Sequence, residues 1–97
     1  MTTQELWLAE CPFMDQGLIR PLISTGGQVV LMCDEDGTVW LRPEDVAANR
    51  HFQPTAPEWE AAEGIRVVPG TTRWATREDL TSLPWSAISW HDLGASG

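Results

Sequence analysis

Two glycine turns set among short apolar runs constrain this chain more than any other feature. Leu18–Ser24 (LIRPLIS) and Gln28–Met32 (QVVLM) flank Gly26–Gly27, and Asp36–Gly37 separates the second run from Thr38–Leu41 (TVWL). Gly-Gly and Asp-Gly supply the positive φ values that tight hairpin turns require, and runs of this length rich in β-branched residues read as strands. The pattern predicts an antiparallel meander. Glu5–Ala9 (ELWLA) alternates polar and apolar residues and predicts one more strand upstream. Proline has no amide to give to a ladder, so Pro21 predicts an edge strand or a bulge.

Helices are expected further along. Pro43 suits a first helical turn, and Glu44 and Asp45 sit beside the positive end of its dipole, so a helix is predicted from Pro43 to Asn49. Two prolines in HFQPTAP, residues 51–57, then break any regular element. Beyond them, Glu58–Glu63 (EWEAAE) predicts one or two helical turns ended by Gly64. Ile65–Val68 predicts a short strand closed by Pro69–Gly70. Thr76 and Asp79 have the spacing of a capping box, predicting a helix from Arg77 that Pro84 ends or kinks. Trp85–Trp90 (WSAISW) suits either a helical turn or a strand. The expected fold is α+β: a small antiparallel sheet of hairpins with two or three short helices. It forms a single domain over 1–97, with hairpins and a short helix in 1–50 and a tryptophan-rich extension, 58–93, packed on them.

The two cysteines bracket the first hairpin. A metal knuckle places two thiolates three residues apart, so that a tight turn aims both sulfurs at one ion. Cys11-Pro12-Phe13-Met14 and Cys33-Asp34-Glu35-Asp36 each keep the first thiol and replace the second. On these residues the stretch from about Leu8 to Leu41 resembles the zinc-ribbon family, whose pattern is C-P-x-C, a β-hairpin, then C-x-x-C-G. Cys11, Pro12, Cys33 and Gly37 match; Met14 and Asp36 depart. The resemblance implies ribbon-like hairpins. A retained zinc site would use Cys11, Cys33 and Asp36, with His51 or His91 as the fourth ligand. A thioether is a poor zinc ligand, so the expectation is a metal-free protein without cofactor. Its two buried free thiols then meet with no ion between them, and Met14 fills the vacated volume. Side-chain packing must take over from a metal whose binding is worth more than about 10 kcal/mol in small zinc peptides. A buried tryptophan removes roughly 200 Å² from water. Trp59, Trp74, Trp85 and Trp90 are therefore expected to pack back on the sheet, with Trp7 and Trp40 in the same core.

Charge narrows the function. Fourteen acids face six arginines, the formal net charge is −8, and there is no lysine. Such a surface repels phosphate backbones and anionic membranes, which argues against nucleic acid and membrane as partners, and it attracts a basic protein. MTTQELWLAE has no basic region and no long apolar run, and no segment approaches the roughly 20 apolar residues of a membrane span. A cytoplasmic protein with free thiols is expected. Nothing around Cys33 matches a nucleophile motif, and Gly26–Gly27 lacks the lysine of a phosphate loop, so no enzyme is expected. The candidate partner-binding residues are Asp34, Glu35 and Asp36 in one turn, and Glu58, Trp59, Glu60 and Glu63 in the second half. There Trp59 offers an apolar knob amid negative charge. The expectation is a non-catalytic acidic protein that binds a basic partner, in its most concrete form an immunity or antitoxin-type inhibitor covering a basic site on a toxin. The alternative is a structural zinc-binding module that serves as subunit or regulator of a larger complex.

Overall fold

Gly27 and Gly37 adopt φ values of +94° and +78°, and each closes a hairpin of the central sheet. The computed structural model describes residues 6–13, 17–62, 64–81, 85 and 90–92. In chain order the elements are β1 (Leu6–Trp7), β2 (Ala9–Glu10), β3 (Leu18–Ile23), β4 (Val29–Cys33) and β5 (Val39–Trp40). They continue with a helical segment α1 (Pro43–Ala47), β6 (Glu60–Ala62), β7 (Ile65–Arg66), β8 (Arg73–Trp74), a 3-10 turn (Glu78–Leu80) and β9 (His91–Asp92).

The main sheet is antiparallel, in the order β2-β3-β4-β5, with β8 also paired to β3. β3 and β4 run in register from Ile19 opposite Cys33 to Ile23 opposite Val29. On the other edge of β3, β2 covers Leu18 and Ile19 while β8 covers Leu22 and Ile23. Two small ladders complete the fold: β1 with β9, and β6 with β7.

This architecture corrects the expected α+β class. The described residues form a small antiparallel β fold. Their helical structure is a five-residue stretch at Pro43–Ala47 and the 3-10 turn, with Trp85 also in 3-10 geometry. The first helix starts at Pro43 as expected, but Asn49, at φ +57°, turns the chain out of helical geometry. The helix expected over Glu58–Glu63 is instead strand β6. Trp59 enters it at φ +53°, and Gly64, at φ +81°, makes the turn into β7. Ala and Glu favour helix by propensity, yet a few tenths of a kcal/mol per residue yield readily to tertiary pairing. The Thr76–Asp79 bonds do form: the Asp79 carboxylate accepts from the Thr76 amide at 2.8 Å, and the Asp79 amide donates to Thr76 Oγ1 at 3.3 Å. The turn they close is 3-10. Pro84 and most of Trp85–Trp90 lie outside the described residues.

Pro21 also departs from expectation, because β3 is the central strand. The Pro21 carbonyl accepts the Ala75 amide at 2.8 Å, so its nitrogen faces the same edge of β3, where β2 gives way to β8. The missing amide therefore costs no ladder bond there.

Period-two alternation buries the sheet on both faces. One face presents Ile19, Leu31, Cys33 and Trp40, joined in one cluster by Leu6, Cys11, Ala75, Leu80 and Trp90. The second half of the chain thus packs into the core of the first. The other face presents Leu22, Val30 and Val39, covered by Ala61 and Val67 from the β6–β7 hairpin, with Met32 and Trp74 against them. Trp40 is fully buried and Trp90 nearly so, while Trp85 packs on the first cluster. Trp7 stacks on His91, ring centroids 4.3 Å apart. Arg20, buried on the second face, lays its guanidinium over Trp74 at 4.2 Å, and its Nε donates to the Leu6 carbonyl at 3.3 Å. Among the described residues no helix is long and apolar enough to cross a membrane.

Candidate functional site

The turn from β4 into β5 serves two neighbouring groups of side chains. Asp34 folds back so that its carboxylate accepts the Leu18 amide at 2.9 Å, which ties the turn to β3. Asp36 accepts the Thr38 amide at 3.0 Å. That fixed turn brings Asp36 to Cys33, and the knuckle before β3 brings Cys11. The Sγ atoms of Cys11 and Cys33 and a carboxylate oxygen of Asp36 all lie within 4.8 Å of one another. Both thiols are free and buried.

The two thiols therefore do meet. Burial raises the Cys33 pKa to about 12, helped by the hydrogen bond with Cys11, so this sulfur keeps its proton at neutral pH. Burial also opposes the charge on Asp36, but the bonds from the Thr38 amide and the Cys33 thiol outweigh it and hold the carboxyl below its ordinary value. As a donor set, Cys11, Cys33 and Asp36 supply three of the four ligands of a closed structural zinc site. His51 is not in the cluster. Its ring lies edge-on to Phe13 at 4.8 Å, and its Nδ1 is 3.2 Å from the Asn49 carbonyl oxygen. Met14 lies outside the described residues. The donors present, two thiols and a carboxylate, are of a type that a thiophilic divalent ion accepts.

The second group forms a cleft of about 570 Å³ between the second face of the sheet and the β6–β7 hairpin. Leu22, Met32 and Trp74 line it from the sheet, Trp59 and Val67 from the hairpin, and Asp36 from the turn. The volume lies in the range of small-molecule and side-chain pockets. Trp59 is only half-buried and belongs to neither apolar cluster of the described residues. Its backbone is pinned by two hydrogen bonds of 2.9 Å, from its own amide to Thr55 and from the Val67 amide to its carbonyl. Arg73 also reaches this cleft, but its guanidinium is held by both carboxylate oxygens of Asp79, at 2.8 and 3.2 Å. The Arg73 guanidinium beside Asp79, with the Thr76 amide, holds the Asp79 carboxyl far below the usual carboxylate range.

Of the residues singled out from sequence for a partner, Asp36 and Trp59 thus share one cleft. Asp34 is spent on the turn. Glu35 and Glu58 are exposed. Glu60 is exposed and accepts the Gly64 amide at 3.3 Å. Glu63 lies outside the described residues. Sequence reasoning missed Leu22, Met32, Val67 and Arg73 as cleft residues, and took Trp74 for packing alone. Their convergence depends on β8 pairing with β3, for which no local signal exists. No protein-family model matches the chain, and neither the curated proteins nor the solved structures compared with it contain a match.

Proposed function

We propose that this chain is a non-catalytic, cytoplasmic, acidic protein-binding protein of the immunity or antitoxin type, and that it engages a basic protein partner at the cleft between sheet and hairpin. The convergence of Asp36 and Trp59, from distant segments, on one cleft carries the reading. The net charge of −8 would draw in a basic partner and speed encounter, while the desolvated tryptophan surface would slow dissociation. Glu58, next to Trp59, and Glu35, next to Asp36, add negative potential beside the cleft.

The test is co-purification with the product of the neighbouring reading frame, followed by affinity measurement across salt concentration. Affinity should fall steeply between about 0.05 M and 0.5 M salt, as screening shortens the Debye length. It should also weaken on Asp36→Asn and on Trp59→Ala. Association that ignores both salt and these substitutions contradicts the reading.

The thiol–carboxylate cluster favours a second reading, a metal-binding module in which Cys11, Cys33 and Asp36 hold zinc. Its measurement is metal content: about one zinc per chain, lost on Cys33→Ser, would select it.

A further inference from the structure

We infer that the cleft is a receptor for an arginine side chain of the partner, seated against the indoles of Trp59 and Trp74 with its guanidinium at the Asp36 carboxylate. This inference rests on the protein-binding reading above and adds the chemistry of the group that the cleft takes. Three observations converge on it. Trp74 already serves as a guanidinium platform, since Arg20 lies 4.2 Å from its ring centroid, and tryptophan is the strongest aromatic partner for a cation. Trp59 provides a second indole in the same cleft. Its φ of +53° is a conformation that costs free energy for any residue with a Cβ. Core packing does not account for that cost, because the side chain stays half-exposed. Both adjacent backbone bonds hold it where its indole lines the cleft.

The charge balance of the cleft agrees. Asp36 is the carboxylate residue among the cleft-lining residues, and its carboxylate already accepts from the Thr38 amide and the Cys33 thiol. A carboxylate has acceptor sites for about four hydrogen bonds, so the fork of a guanidinium can still be received. Two guanidinium groups already lie near the site: Arg73, which lines the cleft and is neutralised by its two bonds to Asp79, and Arg20, which is buried on Trp74 with its Nε bonded to the Leu6 carbonyl. Arginine suits the site better than lysine: its planar, weakly hydrated head can stack on an indole and meet a carboxylate at once. A neutral apolar guest would leave the carboxylate desolvated and unpaired.

The experiment is an NMR titration of the isotope-labelled protein with N-acetyl-arginine methylamide and, separately, with its neutral near-isostere N-acetyl-citrulline methylamide. The arginine probe should shift the indole N–H signals of Trp59 and Trp74 and the Gly37 amide saturably. The citrulline probe should bind at least about tenfold more weakly, the ratio that corresponds to loss of one modest charged contact. Asp36→Asn should erase the difference between the probes. Trp59→Leu should abolish the shifts while the β3–β4 amide signals keep their positions, which shows that the sheet is intact. Equal binding of the two probes, or shifts away from the cleft, overturns the inference. The two proposals fail separately. If the arginine probe binds in the cleft but no basic protein does, the protein-binding reading falls and the arginine site stands. If a basic protein binds without moving the cleft signals, the arginine site falls and the reading stands.

Discussion

The two faces of the central sheet are closed by different means. The first is sealed by large side chains: Leu31 and Trp40 of the sheet itself, with Leu6 from one end of the chain and Leu80 and Trp90 from the other, pack around the paired thiols. The second is roofed by a short hairpin, β6–β7, whose buried contributions are the smaller Ala61 and Val67, and a cleft remains beneath it. The first face gathers the largest buried side chains around Cys11 and Cys33. The second spends its strained tryptophan on lining a cleft rather than on a core. The sealed core and the open cleft lie on opposite sides of one sheet.

The division makes the largest expected effect a loss on the first face. Trp40→Ala removes a fully buried indole and should lower stability by about 3–5 kcal/mol, measured by urea denaturation. A cost under about 1 kcal/mol would mean that the first face is not the core. On the second face, Gly64→Ala meets no atom within 4 Å, so its expected cost of about 1–2 kcal/mol is conformational, from forcing a Cβ into the left-handed region. That loss should fall on the hairpin, seen as weakened Gly64–Val67 amide protection with the sheet amides unchanged. Smaller still, Trp59→Leu should change stability by less than about 1 kcal/mol, since the ring is half-exposed, while strongly reducing binding. A large stability loss there would place Trp59 in the core and weaken the comparison.

How much of this division could be read from the residues depends on distance along the chain. The turns at Gly27 and Gly37, the meander, the start of α1 and the meeting of Cys11 with Cys33 were legible, because each follows from local spacing. The second face was not. EWEAAE reads as helix by propensity, and only pairing with β7, together with the Val67–Trp59 bond, makes it a strand. Pro21 reads as an edge marker, and only the change from β2 to β8 along the far edge of β3 lets it occupy a central strand. Of the candidate site, Asp36 and Trp59 were each legible as chemistry, one as a turn acid and one as an acid-flanked tryptophan. Their sharing of a cleft was not, since it requires the β6–β7 hairpin to pack on the second face of the sheet through Ala61 and Val67.

The smallest predicted effect concerns acid. Asp79 has a folded-state pKa below its unfolded value near 4. The stability it contributes is complete above about pH 4 and is lost as the pH falls through the folded-state value. Asp79→Asn should therefore lower stability by a constant amount above about pH 4 and flatten the acid limb, so that the two stability–pH curves converge as the pH falls. An acid limb identical in both proteins would remove Asp79 from the account.

The division between the faces is tested most directly by native-state hydrogen exchange. The amides of Cys33 and Val39, bonded to Thr38 and Phe52, should exchange only through global unfolding. Those of Trp59 and Val67, bonded to Thr55 and Trp59, should exchange through a local opening at least about tenfold more frequent. A single opening free energy shared by both sets would show that hairpin and sheet are one cooperative unit, and would contradict the account.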